Sequence, residues 1–233
     1  MRRPESLTSC PETNPIMPSS ISELILVVVI LTNLALLGMS RIRTSIRTVA
    51  IQGMMLGLLP LCISDRELTL PLLVIAVVSF ALKGLVFPWW LLRTLHAANA
   101  RREVSPVIGP SASTALGALL IAFSFWIGSR FPLPPAVPLV SRLALPVAVA
   151  LLLSGLFVIV TRQQALMQVL GYLVLENGIF VFGLALAHEE PLLVEMGILL
   201  DVFVAVFVMG IAVFHIAREF DHIDVEKLSE LRD

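Results

Sequence analysis

Charge and reactive side chains are scarce in this sequence of 233 residues. Only 14% of the residues are charged, against about 25% in a typical soluble domain. The two cysteines, Cys10 and Cys62, lie outside any C-x-x-C or histidine spacing, which argues against an iron–sulfur or zinc site. There is no glycine-rich phosphate loop and no Ser-His-Asp set. We therefore expect no catalytic residue, no cofactor and no metal ligand on this chain, and the net charge of −1 argues against a nucleic-acid partner.

Apolar residues dominate instead, at 58% of the chain, with a mean hydropathy of +0.95. Apolar runs of about 20 residues recur between short charged patches, the pattern typical of transmembrane helices. Because lipid offers the backbone no hydrogen-bond partners, each run must be helical. The sequence predicts an all-α, polytopic membrane helix bundle with seven spans: Ile21–Met39, Thr48–Ile63, Leu70–Leu92, Ser111–Ile127, Leu143–Val160, Leu166–Ala187 and Leu192–Ile216.

The bundle is predicted to occupy residues 19–217, between a flexible polar tail at 1–18 and a charged tail at 218–233. With seven spans, ten basic residues fall on one side of the membrane and five on the other. The excess of lysine and arginine marks the cytoplasmic side. We therefore expect a multi-pass protein of the cell inner (plasma) membrane, with its N-terminus outside and its C-terminus in the cytoplasm.

The chain also has the outline of an internal repeat of three helices. A shift of 120 residues places the third span over the seventh, and the Arg41–Arg47 turn over Thr161–Met167. The fourth span would then connect two three-helix units, an arrangement common in transport folds. Within the third span, Pro88 should kink the helix or mark where it nears the surface.

Three ionisable residues fall near the middle of predicted spans: Lys83, Glu176 and Asp201. Each lies within a turn of its span's midpoint, so all three sit within roughly 5 Å of the bilayer centre. Each ionised group there costs about 2.5 to 3.5 kcal/mol on insertion scales. Such a cost is normally offset by pairing, by neutralisation or by water.

These three residues are our candidates for a proton relay, since ionisable groups inside a membrane mark proton paths by default. Tyr172 lies one turn from Glu176 and Asn177 lies beside it, so both are supporting candidates, together with His215 near the inner end of the last span. The alternatives are a static ion pair, or a neutral carboxylic acid that donates one hydrogen bond.

Two segments resemble a known family. Gly171–Phe180, which reads GYLVLENGIF, is similar to the signature of the hydrogenase-4 component E family, the membrane subunits of group 4 [NiFe]-hydrogenase-type complexes. Leu82–Pro88 resembles the lysine-bearing span of the same family. The last two spans and the acidic tail also resemble the small K subunit of respiratory complex I, over about the last 90 residues.

The resemblance implies a membrane subunit that lies between antiporter-like proton-pumping subunits and a hydrogenase or quinone-linked module. In that family pattern Glu176 matches the first membrane glutamate, whereas Asp201 occupies the span of the second without an alignable position. The redox centres would then lie on partner subunits, so the chain is a non-catalytic subunit of an oxidoreductase complex. Two alternatives stay open: an autonomous secondary cation/proton transporter, and a structural scaffold whose buried charges fix helix register.

Overall fold

The computed structural model describes residues 16–63, 70–97, 108–130 and 139–186. Within these ranges the chain is built from α-helices and one π-helical segment. The helices are α1 Ile16–Gly38, α2 Ile42–Ile63, α3 Leu70–Ala81, α4 Phe87–Ala97, α5 Pro110–Arg130, α6 Leu139–Thr161 and α7 Ala165–Leu186, with the π segment Leu82–Val86 between α3 and α4.

Six stretches of these helices are long and apolar enough to cross a membrane, counting only the described ranges. They are Ile21–Gly38, Ile42–Cys62, Ala76–Arg93, Pro110–Arg130, Arg142–Thr161 and Leu166–Ala185. They correspond to the first six predicted spans, and the prediction of an all-helical, polytopic bundle is confirmed. The seventh predicted span and the charged tail at 218–233 lie outside the described residues.

Helix boundaries differ from the predicted spans where charged residues lie in a helix. The second span was predicted to begin at Thr48, but α2 begins six residues earlier, at Ile42. Arg43 and Arg47 lie on its first turns and are exposed. Arginine side chains extend from a helix end toward water, so hydropathy alone places the start of such a helix too late. Helix α1 also begins earlier than predicted, at Ile16, although residues 16–20 carry no charge, so residues 16–18 of the predicted tail are helical.

The third span is one continuous path through α3, the π segment and α4. Pro88 does not end this helix. Because proline has no N–H and its ring crowds the carbonyl four residues earlier, regular α-helical hydrogen bonding cannot continue through it. The turn before Pro88 widens instead, and the N–H of Phe87 donates to the carbonyl of Leu82, five residues back. Lys83 lies inside this widened turn.

Glycines set the close packing of α6 against α7, which form the most extensive helix pair of the described bundle. A Cβ at Gly155 of α6 would lie 2.7 Å from the carbonyl oxygen of Gly171, and one at Gly178 would lie 2.8 Å from the backbone nitrogen of Leu152. Only glycine allows backbones to approach so closely. The two glycines of the Gly171–Phe180 segment therefore have a packing role.

The remaining contacts put α1, α2, α6 and α7 at the centre. Helix α1 packs against α2 and α6, α2 packs against α7 and the π segment, and α5 covers α1 and α6. Hydrogen bonds join Asn33 to Ser154 and Leu37 to Arg162, pairs separated by 121 and 125 residues. Residue numbers increase in the same direction along α1 and α6 from the first bonded pair to the second. The two helices therefore run parallel, as a repeat offset by 120 residues requires. The last helix of the second unit lies outside the described residues, and the repeat stays a prediction.

Candidate functional site

The structure brings two of the three predicted mid-membrane residues into direct contact. Lys83 Nζ lies 2.5 Å from Glu176 Oε1, and their side chains are 3% and 2% exposed. Lys83 comes from the π segment and Glu176 from the middle of α7. Each charge is thus offset by the other, and the pair joins the third membrane-crossing helix to the sixth.

Lys83 makes a second contact that fits a cation in an apolar setting. Its Nζ lies 4.3 Å from the centre of the Phe180 ring, one turn beyond Glu176 on α7. A cation over an aromatic face gains about 2 kcal/mol when both are desolvated. One helix face of α7 therefore provides both a carboxylate and a ring for the same ammonium group.

Helix α2 approaches the pair through a glycine. A Cβ added at Gly53 would lie 2.7 Å from the Cβ of Lys83 and 3.3 Å from its backbone carbon and oxygen. Any larger residue would push α2 away from the π segment or displace Lys83. Gly53 thus permits the close approach that encloses the ion pair.

Gln52, the residue before Gly53, links three helices through hydrogen bonds of its side-chain amide. Asn177, next to Glu176, donates through Nδ2 to Oε1 of Gln52 at 3.4 Å. Gln52 donates through Nε2 to the backbone carbonyl of Val29 on α1 at 3.3 Å. Both side chains are buried, 2% exposed for Asn177 and 1% for Gln52. The ion pair therefore has a hydrogen-bonded neighbour that reaches α1.

Two further polar contacts follow along α1. Asn33 donates through Nδ2 to Ser154 Oγ at 2.8 Å, and both residues are buried. Arg162, in the turn between α6 and α7, donates through Nη2 to the carbonyl of Leu37 at 3.0 Å. That carbonyl belongs to the last turn of α1, where a cation is favoured by the helix dipole. Burial lowers the pKa of the Arg162 guanidinium, which nevertheless stays charged at neutral pH.

The other predicted site residues are placed as follows. Tyr172 is half-buried on α7, one turn before Glu176, and Asn177 is buried beside it. Asp201 and His215 lie outside the described residues. No group of three histidine, cysteine, aspartate or glutamate side chains that could hold a metal occurs within the ranges that the structure covers.

Sequence reasoning missed Gln52 and Asn33. Each is the only amide side chain within its apolar span, in α2 and α1 respectively. An amide inside a membrane needs a hydrogen-bond partner for the same reason that a charge does. Applying the depth argument to uncharged polar residues would have found both.

Comparison with known proteins supports the class that the fold and the paired charges define, a multi-pass membrane protein with ionisable residues in its interior. Residues 143–233 match the family described as NADH-ubiquinone/plastoquinone oxidoreductase chain 4L. This match begins near the start of α6 and includes Glu176, but not α1, α2 or Lys83. No solved structure matches the chain.

Full-length relatives give a closer identification. The chain is 31% identical to hydrogenase-4 component E of Escherichia coli K12 over 204 residues, which cover 87% of this chain and 93% of that protein. The match to hydrogenase-4 component E of Shigella flexneri has the same identity and coverage. An uncharacterised protein of Mycobacterium tuberculosis is 37% identical over 193 residues, 82% of this chain and 87% of the relative. The chain belongs to the hydrogenase-4 component E family, and the family relationships support a membrane subunit of a complex I-like complex.

Proposed function

We propose that the chain contributes to proton translocation driven by redox chemistry on partner subunits of a hydrogenase-4-like complex. The observation that carries this proposal is the buried Lys83–Glu176 pair. Two titratable groups in direct contact can share or exchange a proton, and the distance between them determines which group carries it. A conformational change that moves the π segment relative to α7 would therefore change which group is charged.

The irregular backbone at Lys83 suits such a change. A π segment inside an α-helix is rare and is found most often at functional sites. Its weaker hydrogen bonding allows one residue to shift register at less cost than in a regular helix. Since Lys83 lies in this segment and Glu176 on a regular helix packed tightly by glycines, the lysine is the member that moves.

Asp201 is proposed as the third member of the relay, with Tyr172, Asn177 and His215 in supporting roles. The partners are antiporter-like membrane subunits and the hydrogenase or quinone-linked subunits of the same complex. The chain lies in the inner (plasma) membrane, with its N-terminus outside and its C-terminus in the cytoplasm. Supporting this orientation, the turn at Arg41–Arg47 and the turn at Arg162 carry arginines to one end of the bundle.

The first experiment identifies the assembly. The tagged protein is extracted in mild detergent from its native membrane, and co-purifying proteins are identified by mass spectrometry. Antiporter-like subunits together with [NiFe]-type or quinone-linked subunits are the expected result. Purification of the chain alone, folded and monodisperse, would contradict the proposed assembly and favour an autonomous transporter, for which ion flux in liposomes is the direct assay.

The second experiment tests the residue. Glu176→Gln removes the charge at nearly constant shape, and we expect redox-driven proton translocation by the assembled complex to fall at least tenfold. Glu23→Gln is the matched control, because Glu23 is the other carboxylate of the described ranges and lies near a span end. Normal translocation in Glu176→Gln would refute the relay.

A structural scaffold is the second candidate, favoured by the complete burial and direct pairing of the two charges. A fixed ion pair can hold helices in register without moving a proton. In that case Glu176→Gln should lower the stability of the complex. The complexes that still assemble should translocate as many protons per transferred electron as the wild type.

A further inference from the structure

Buried polar side chains do not end at the ion pair but continue from it toward one end of the bundle. We name this end the turn end, because the α1–α2 turn and the α6–α7 turn meet there through the bond between Arg162 and Leu37. These side chains are uncharged, and those on α1 and α2 lie outside the match to the chain 4L family. They therefore need an explanation of their own.

The depths of these residues decrease in steps. Glu176 lies eleven residues from the start of α7, about 16 Å from the turn end at the helical rise of 1.5 Å per residue. Gln52 lies ten residues from the start of α2, about 15 Å. Ser154 lies seven residues from the end of α6, about 10 Å, and Asn33 lies five residues from the end of α1, about 8 Å.

Two side-chain hydrogen bonds and the backbone carbonyl of Val29 connect these residues. Asn177 and Gln52 share a hydrogen bond, and Gln52 also donates to the carbonyl of Val29. In a helix that carbonyl accepts the backbone N–H of the residue four positions later, which is Asn33. Asn33 in turn donates to Ser154. We call the set Asn177, Gln52, Asn33 and Ser154 the polar seam.

The polar seam has spare capacity for hydrogen bonds. Asn33 is only 1% exposed, and its Oδ1 atom accepts no hydrogen bond from the part of the chain that the structure describes. A buried acceptor without a partner is costly, by about 1–3 kcal/mol. A water molecule bound at such an acceptor would pass a proton along the polar seam, where the space around the atom admits one.

The amide side chains of the described ranges are unevenly distributed along the bundle. All of them lie between the level of the ion pair and the turn end. In the described part of the other half the buried polar residues are the serines Ser22, Ser79 and Ser124, and the Ser124 hydroxyl donates to its own helix at Leu120. Buried amides are therefore found on one side of the pair.

We infer that the polar seam is the route by which the Lys83–Glu176 pair exchanges protons with the turn end of the bundle, which the arginine distribution places in the cytoplasm. Gln52 and Asn33 are positioning residues on this route. They hold water and hydrogen bonds between the pair and the surface, and do not titrate themselves. This inference rests on the proposed function of the pair and adds the side from which its proton comes.

The test uses the assembled complex in membrane vesicles, with a pH-indicating dye and the electron donor of the co-purified redox subunits. Asn33→Leu and Gln52→Met replace each amide by an apolar side chain of similar size. We expect each variant to translocate protons at least tenfold more slowly than the wild type. Asn33→Ser, which restores a hydroxyl and leaves room for water, should recover most of the rate, a rescue that a packing role does not predict.

A matched control lies on α2. Thr48→Val also removes a polar atom at constant shape. The Thr48 hydroxyl donates to the carbonyl of Thr44 and, at 3.5 Å, to the sulfur of Met39, and neither residue belongs to the polar seam. This variant should translocate protons normally.

The outcomes separate this inference from the proposed function. Normal translocation in Asn33→Leu and Gln52→Met, with loss in Glu176→Gln, would overturn the polar seam and leave the proposed function standing. Normal translocation in all three would overturn the proposed function. If an apolar variant does not assemble, Ser154→Ala replaces it, since it removes a single oxygen. A severalfold lower rate supports the route, and an unchanged rate overturns it.

Discussion

Removing one charge of the Lys83–Glu176 pair should destabilise the protein more than removing both. The side chains are 3% and 2% exposed, so neither charge is screened by solvent when its partner is lost. Leaving one partner of a buried pair alone costs about 3–5 kcal/mol. We expect this loss of unfolding free energy for Glu176→Gln, which leaves an ammonium group, and for Lys83→Met, which leaves a carboxyl group.

The double variant Lys83→Met/Glu176→Gln carries no buried charge. Replacing a whole buried ion pair by side chains of similar volume is often close to neutral. The double variant should therefore lose less stability than either single variant. Part of the loss remains, because the contact between Lys83 and the Phe180 ring, about 2 kcal/mol when desolvated, also disappears.

The assay is unfolding of the chain within the detergent-extracted complex, compared across the wild type, both single variants and the double variant. Glu23→Gln serves as the control, with an expected change within about 1 kcal/mol because the side chain is only half-buried. Losses that simply add in the double variant would show that the two side chains do not interact energetically, and would refute the pair as a stabilising contact.

Two further predictions concern the surroundings of the pair. Gly53→Ala should destabilise the protein by about 1–3 kcal/mol, because the added methyl group would overlap Lys83. Gly183→Ala, where nothing lies within 4 Å of the added Cβ, should not destabilise the protein in the same unfolding assay, since alanine is favoured over glycine inside a helix. Arg162→Leu should cost about 1.5–3 kcal/mol through the lost bond to Leu37 and should speed amide hydrogen exchange in the last turn of α1. The exposed Arg41→Leu should change stability by less than about 0.5 kcal/mol, and an equal loss there would contradict the argument from burial.

Much of the membrane architecture was predictable, because in lipid a run of apolar residues has few alternatives to a helix. The positions of Lys83 and Glu176 near the middle of their spans also identified both residues as candidates for the site from the sequence alone. Which charged side chains pair with each other depends, in contrast, on how the helices rotate and pack. Helix α2 approaches Lys83 closely at Gly53 beside the ion pair. A single sequence does not state which glycines meet which helices.

The π segment shows a second limit of sequence reasoning. Pro88 signals an irregular helix, but the same signal fits a kink, a helix end and a widened turn. Here the widened turn places Lys83 within contact of both Glu176 and Phe180. A regular α-helix through this region would rotate the lysine by a part of a turn relative to α7. The position of one charged atom therefore depends on backbone hydrogen bonding several residues away, which residue composition does not encode.

The amides of the polar seam are a third feature that hydropathy did not identify. Gln52 and Asn33 lower the mean hydropathy of their strongly apolar spans only slightly, so hydropathy does not single them out. Their physical cost is set by the hydrogen bonds they lack or make, and that cost is met only by partners from other helices. Since Asn33 keeps an acceptor without a partner among the described residues, packing alone does not account for its presence. A leucine would fill the same space without that penalty, so the amide at this position argues for a role in which water or a proton uses it.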